Sequence, residues 1–235
     1  MNWVCIVPVK GSATAKSRLG ELPHAFPGRE QLAEAFALDT VAALLSARMV
    51  DHVLVVTNDP NAAAPLAALG ARIVPELPQD PPSDAANGHY AATRDPLNAA
   101  IAEGVRVAQA EYPLCNVAVL TGDLPALTRA DVESTLTAAS AYDRAMVADE
   151  EGTGTTTLLA RAGIALVPRF GLGSRAAHEA DGHLPLVLPA TASIRRDVDT
   201  VDNLAEVLRR GVGAHTSSLI ARSQLGLDDA DPTGR

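Results

Sequence analysis

The sequence predicts an α/β fold, with a mostly parallel central sheet covered by helices on both faces. Three observations carry that expectation. Short β-branched apolar runs at residues 4–9, 53–57, 72–74 and 117–121 alternate with longer Ala/Leu-rich stretches at helical spacing, 30–47, 60–69, 96–111 and 129–139. Strands alternating with helices imply right-handed βαβ units and hence parallel neighbours. The long connections, 10–29 and 75–95, each follow a strand, which puts them beyond the carboxyl ends of the strands, where open α/β sheets bind ligands.

The elements follow in order. Residues 4–9 end in the loop "VPVKGSATAKSRLG", which brings Lys10, Lys16 and Arg18 together with no acid among them, although the chain as a whole carries a net charge of −9. Neither a GxGxxG nor a GxxxxGK[ST] pattern follows Val9, so neither a dinucleotide fingerprint nor a Walker loop is read here. Lysines as point charges and an arginine fork suit a polyphosphate; a solvated basic loop is the plainer alternative. The stretch "RDPLNAAIAEG" opens a helix with Pro96 in its first turn, and Asn98 faces the same sheet edge if the register holds.

The run "VAVLTGDLPAL" is a buried strand that ends in Gly122 and Asp123. A carboxylate at a strand's carboxyl end, beside a glycine that lets a ligand approach, is a candidate Mg²⁺ ligand; a turn-opening or capping Asp is the alternative. Residues 145–148 and 156–160 read as further strands, and "LPLVLP" and "SIRRDVD" as later ones in a mixed sheet, before a helix over 201–210. In a strand Asp197 and Asp199 share a face. Two carboxylates so close repel unless a cation lies between them. Capping of the following helix by Asp199 competes with that reading. The loop "EEGTGTTTLLA" offers backbone N–H groups and hydroxyls for an anion, or a plain turn. In "PRFGLGSRAAHEA", Ser174 could cap a helix starting at Arg175, and that helix N-terminus with its Ser and adjacent Arg is a candidate anion site; capping alone is the alternative. From about residue 217 the chain reads as a loose polar tail, so the domain is expected to span 1–212 and a partly flexible segment 213–235.

Composition limits the function. Aromatic residues make up only 3% of the chain, which with the acidic charge argues against nucleic-acid binding. No apolar stretch reaches membrane-spanning length, and the N-terminus carries no signal-peptide pattern, so a cytoplasmic protein is expected. Cys5 and Cys115 are expected to be buried reduced thiols. The six histidines are scattered and none is assigned to catalysis.

Taken together, "VPVKGSATAKSRL", "DPLNAAI", "LTGDLPAL", "GTGTTTLLA", "FGLGS" and "RRDVDT" resemble, in order and spacing, the phosphoenolpyruvate or 2-phospho-L-lactate guanylyltransferases of deazaflavin coenzyme biosynthesis. The resemblance covers nearly all of residues 4–212; the connection 80–93 is longer than that family leads one to expect. It implies a single-domain, nucleotide-diphospho-sugar-transferase-like (Rossmann-like) fold. It also implies transfer of GMP from GTP to a phosphorylated three-carbon acid, phosphoenolpyruvate first, with release of pyrophosphate. By resemblance, Asp123, Asp197 and Asp199 hold two Mg²⁺ ions; Thr155, Gly171 and Ser174 hold the acid; and Lys10, Lys16 and Arg18 lie over the GTP phosphates, with Asn98 near the nucleotide. A homodimer is left open. So are 2-phospho-L-lactate or 3-phospho-D-glycerate as the acid. A cytidylyltransferase or molybdopterin guanylyltransferase is a competing enzyme, though the opening loop lacks the expected Gly-Gly. A nucleotide-binding regulatory module is a third reading, disfavoured by three converging acids.

Overall fold

The computed structural model describes residues 2–10, 19, 26–77 and 95–225. Lys16 and Arg18, most of both long connections and residues 226–235 lie outside the described residues.

Strands β1 (Trp3–Pro8), β2 (Val50–Val56), β3 (Arg72–Val74), β4 (Asn116–Leu120), β5 (Arg144–Ala148), β6 (Thr155–Ala160) and β7 (Leu184–Pro185) form one sheet in the order β3-β2-β1-β4-β6-β5-β7. β1 runs parallel to β2 and β4, β2 to β3 and β5 to β7, while β6 is antiparallel to both β4 and β5. One reversed strand in an otherwise parallel sheet is the mixed sheet that the sequence leads one to expect.

β1 is buried along its whole length, and its side chains divide between two cores. Trp3, Cys5 and Val7 pack with α1 (Arg29–Ser46), α2 (Pro60–Leu69) and α4 (Arg129–Ala139), through Val41, Leu44, Leu66, Val132 and Leu136. Val4 and Ile6 pack on the opposite face with α3 (Pro96–Glu111), through Ile101 and Val105. The period of two in β1 thus feeds a helical layer on each side. A third cluster, including Leu32, Phe36, Val198, Leu204 and Leu219, joins α1 to α6 (Val201–Arg210) and α7 (Ala214–Gln224).

Helix starts follow their local chemistry. Asp59 accepts from Asn61 N–H ahead of α2, Asp95 from Leu97 N–H ahead of α3, and Thr128 from Asp131 N–H ahead of α4. α6 is capped by Thr200 in a box with Asn203, so the capping role considered for Asp199 falls to its neighbour.

Three expectations need correction. Residues 196–199 do not join the sheet: "SIR" is a 3₁₀ turn (Ser193–Arg195), and the extended residues after it meet Asp123 through a single Val198 N–H to carbonyl bond of 3.1 Å. The chain leading into them is held by side chains instead of by a neighbouring strand. Arg196 donates to the carbonyls of Thr191 (2.8 Å) and Ala190 (2.9 Å), and the Thr156 hydroxyl takes that of Ile194 (2.6 Å). "LPLVLP" yields only the two residues of β7. The first part of the polar stretch expected as a loose tail, residues 217–224, lies in α7, which packs on α1. Cys5 is buried, whereas Cys115 is half-buried in the turn before β4; both are free thiols. No described helix is long and apolar enough to cross a membrane.

Candidate active site

α1 and α2 cover one face and α3 the other, so the winding reverses between β1 and β4. At such a switch point the loops diverge and leave a crevice. A cleft of about 490 Å³ opens there. Val9 and Lys10 enter it from the end of β1, Thr121, Gly122 and Asp123 from the end of β4, and Asp199 from the segment before α6. Glu30, Gln31 and Glu34 of α1, Asp59 and Asn61 beyond β2, and Phe170 complete the walls that matter here. Lys10 is exposed and lines the cleft.

Asp123, Asp197 and Asp199 each place one carboxylate oxygen within 4.8 Å of the others. Hard oxygen donors at this spacing suit a divalent cation such as Mg²⁺ or Mn²⁺ and do not suit a soft one. The alternation inferred for a strand survives in the extended chain: Arg196 and Val198 are buried, while Asp197 and Asp199 are partly exposed. The backbone around them is held firmly. Arg195 donates to the Asp149 carbonyl (2.9 Å), Arg196 grips residues 190 and 191 from a site only 5% exposed, and the Thr40 hydroxyl accepts from Leu124 N–H (3.1 Å) next to Asp123.

The other expected site residues form a second group behind Phe170. Asn98 spends both of its amide donors inside the protein, on the Phe170 carbonyl (2.9 Å) and the Asp95 carboxylate (2.9 Å), and accepts from Phe170 N–H (2.8 Å). It therefore fixes a wall of the cleft to α3. Ser174 is not a cap. It is the first residue of α5 (Ser174–Ala180), whose N-cap is Gly173 at φ 70°, and its own N–H bonds the Gly171 carbonyl at 3.1 Å. The loop 150–154 does not offer its amides to a ligand: Asp149 accepts from Thr153 N–H (2.9 Å) and Gly154 N–H (2.7 Å). A Cβ at Gly154 would lie 2.3 Å from the Asp149 carboxylate, so that loop requires glycine.

His178, to which the sequence assigns no role, is fully buried in this group. Burial, reinforced by neighbouring His183, pushes its imidazole down to about 4, against an ordinary 6.5. Burial lowers His183 as well. The unfolded chain takes up these protons near the ordinary value and the folded chain does not. Stability should therefore fall as pH drops from about 6.5 towards 4, by on the order of 1 kcal/mol per pH unit, and then level off. Thermal unfolding at pH 7.5 and pH 5 checks this; a flat profile would mean that the rings titrate as if in water.

The class of protein is defined by the fold, a single mostly parallel sheet in the order β3-β2-β1-β4-β6-β5-β7 with helices on both faces. It is the nucleotide-diphospho-sugar-transferase-like fold, the fold of nucleotidyltransferases. A crystal structure from Desulfovibrio desulfuricans G20 assigned as such a transferase superposes with a TM-score of 0.63 at 18% identity, covering 97% of each chain. 4-Diphosphocytidyl-2C-methyl-D-erythritol synthase superposes at 0.54 with 14% identity, over 89% of this chain and 97% of that one. The chain belongs to the family described as guanylyl transferase CofC like, which matches residues 3–230. It is 47% identical to the phosphoenolpyruvate guanylyltransferase of Streptomyces scabiei (strain 87.22) over 222 residues, covering 94% of this chain and 97% of that protein. To the protein of that name from Streptomyces coelicolor it is 44% identical, over 94% and 97% of the two chains.

Proposed function

We propose that the chain transfers GMP from GTP to the phosphate of phosphoenolpyruvate. A phosphate oxygen of the acid attacks the α-phosphorus, the bond from that phosphorus to the β-phosphate bridge breaks, and pyrophosphate leaves. The observation that carries this reading is the cluster of three carboxylates, two of which, Asp123 and Asp199, line the cleft at the switch point together with Lys10. The names of the two Streptomyces relatives support the choice of guanylyl donor and acid. No general base is needed, because a phosphate monoester is mostly dianionic near neutral pH.

The obstacle is repulsion between two anions. Mg²⁺ held by Asp123, Asp197 and Asp199, one ion or two, would neutralise the phosphates and stabilise charge on the leaving group. Lys10, at the end of β1, meets the triphosphate, and Lys16 and Arg18 of the same loop are assigned to it as well. Thr155, Gly171 and Ser174 receive the carboxylate and phosphate of the acid, and Asn98 serves the nucleotide by holding Phe170 against the cleft. The reaction belongs to deazaflavin coenzyme biosynthesis in the cytoplasm; a homodimer is compatible with it.

Pyrophosphate release from GTP with phosphoenolpyruvate and Mg²⁺ tests the reading, beside parallel assays with 2-phospho-L-lactate, 3-phospho-D-glycerate and CTP. Release with phosphoenolpyruvate and GTP is the expected result. Release only with CTP would replace the donor, and tight GTP binding without turnover would remove the enzyme altogether. For the basic side, Lys10→Ala should raise the KM for GTP about tenfold, the scale of one charge-assisted contact. An unchanged KM would return Lys10 to an ordinary solvated cation.

A further inference from the structure

His178 sits at the meeting of the two segments assigned above to the acid. Its Nε2 lies 3.0 Å from Arg169 N–H, and its Nδ1 lies 2.9 Å from the Thr155 hydroxyl oxygen. A backbone N–H can only donate, so Nε2 is an acceptor and carries no proton. A neutral ring then carries its proton on Nδ1 and donates it to the Thr155 oxygen. The single hydrogen of that hydroxyl is left to go to another acceptor.

The ring is held in this orientation from several sides. Phe170 meets it edge-on with centroids 5.1 Å apart, and His183 does so at 5.7 Å. His183 also bonds back to the His178 carbonyl, through its backbone N–H (3.0 Å) and its Nδ1 (3.3 Å). Charged groups nearby are Arg169 and Asp181, which pair with each other at the surface.

We propose that His178 is a positioning residue for acid recognition. It ties the start of β6 to the 169–174 loop and, by donating to the Thr155 oxygen, reserves that hydroxyl's own hydrogen for an anionic oxygen of the three-carbon phospho-acid. The proposal rests on the reading that Thr155 receives that acid. An imidazolium could not do this work, because a second N–H would point at the Arg169 N–H. Burial disfavours that form and holds the imidazole below its ordinary value.

The test uses the full chain, with His178→Phe to keep the ring volume and remove both bonds, and His178→Gln to restore a donor and an acceptor. The unaltered protein, labelled with ¹⁵N on histidine, should show His178 as the Nδ1–H tautomer from pH 6 to 8, its signal assigned by its loss in His178→Phe. An Nε2–H tautomer, or titration near 6.5, overturns the proposal. In kinetics, His178→Phe should raise the KM for phosphoenolpyruvate roughly tenfold or more, the scale of one hydrogen bond to a charged group. The KM for GTP should stay within about twofold, and His178→Gln should recover part of the loss. Combined with Thr155→Val, the His178→Phe effect should be clearly smaller than in the parent, since both remove the Thr155 bond and only the Arg169 N–H bond is left for His178→Phe to break. A fall in kcat with both KM values unmoved, or additive effects in the double variant, would reduce His178 to a packing residue. If the unaltered chain itself gives no turnover with GTP and phosphoenolpyruvate, the reaction assigned above fails and this role falls with it. Turnover in the unaltered chain with an unmoved acid KM in His178→Phe sinks the positioning role alone.

Discussion

Replacing Asp197 by Asn is expected to cut Mg²⁺-dependent turnover by roughly 10³-fold, about 4 kcal/mol at 1.36 kcal/mol per decade. The fold should be untouched. The backbone on either side is anchored by groups other than the carboxylate: the Arg196 guanidinium on the carbonyls of residues 190 and 191, and Val198 N–H on the Asp123 carbonyl. In the presence of a chelator the variant should unfold at the same temperature as the parent or above it. Three carboxylate oxygens within 4.8 Å of one another repel when no cation is bound, and the substitution removes one charge from that set. Adding Mg²⁺ should reverse the order. The parent gains by mass action, about 2.7 kcal/mol at a hundredfold excess over its Kd, and the variant gains less. A variant with near-parental kcat would show that the cluster is a solvated acidic corner.

Most of the scaffold was legible because its signals are local. Pro60 and Pro96 mark helix starts, Gly70 and Gly211 lie just past helix ends, and the apolar runs alternate with Ala/Leu-rich segments, so α2, α3, α4 and α6 fall where expected. The cation after β1 and the acids after β4 and before α6 could be placed from topology alone, since only the order of elements is needed to bring them to one edge. What stayed hidden depends on partners far away in sequence. His178 acts through residues 155 and 169, and its own neighbours, "SRAAHEA", carry no sign of either. The extended run 196–199 looked like a strand because its alternation of buried and exposed residues is real. The chain leading into it is tied elsewhere, by Arg196 to the carbonyls of residues 190 and 191 and by Thr156 to that of Ile194, which no period reveals. In the 150–154 loop, glycines and threonines suggested an anion cradle. The anion proves to be the protein's own Asp149.

The C-terminal helix shows the same long reach, and it yields the largest expected effect on stability. α7 has no side-chain cap of its own: Gly213 stands at its N-cap, and its sequence, "AHTSSLIARSQ", is only weakly amphipathic. The missing acceptor comes from Asp39 of α1, which is 5% exposed and takes His215 N–H and Thr216 N–H at 2.9 Å each. Gly213 must be glycine for this approach, since a Cβ there would lie 2.3 Å from the Asp39 carboxyl carbon. Its N–H meanwhile bonds the Pro125 carbonyl at 2.8 Å, in the loop that carries Asp123. The next residue along α1, Thr40, braces Leu124 in that same loop. Two consecutive residues of α1 therefore fix α7 and the Asp123 loop together. Asp39→Ala strips two N–H groups, one buried and one partly buried, of a carboxylate acceptor. It should cost about 2–3 kcal/mol and lower Tm by roughly 5–10 °C for a chain of this size. Gly213→Val should cost a similar amount by forcing the same carboxylate aside. In both variants kcat should fall less than in Asp197→Asn, because the acids remain and only their support loosens. Thermal unfolding and steady-state kinetics on the two chains check this. A Tm within about 1 °C of the parent would mean that α7 holds its place by apolar packing on α1 and that the Asp39 cap adds little.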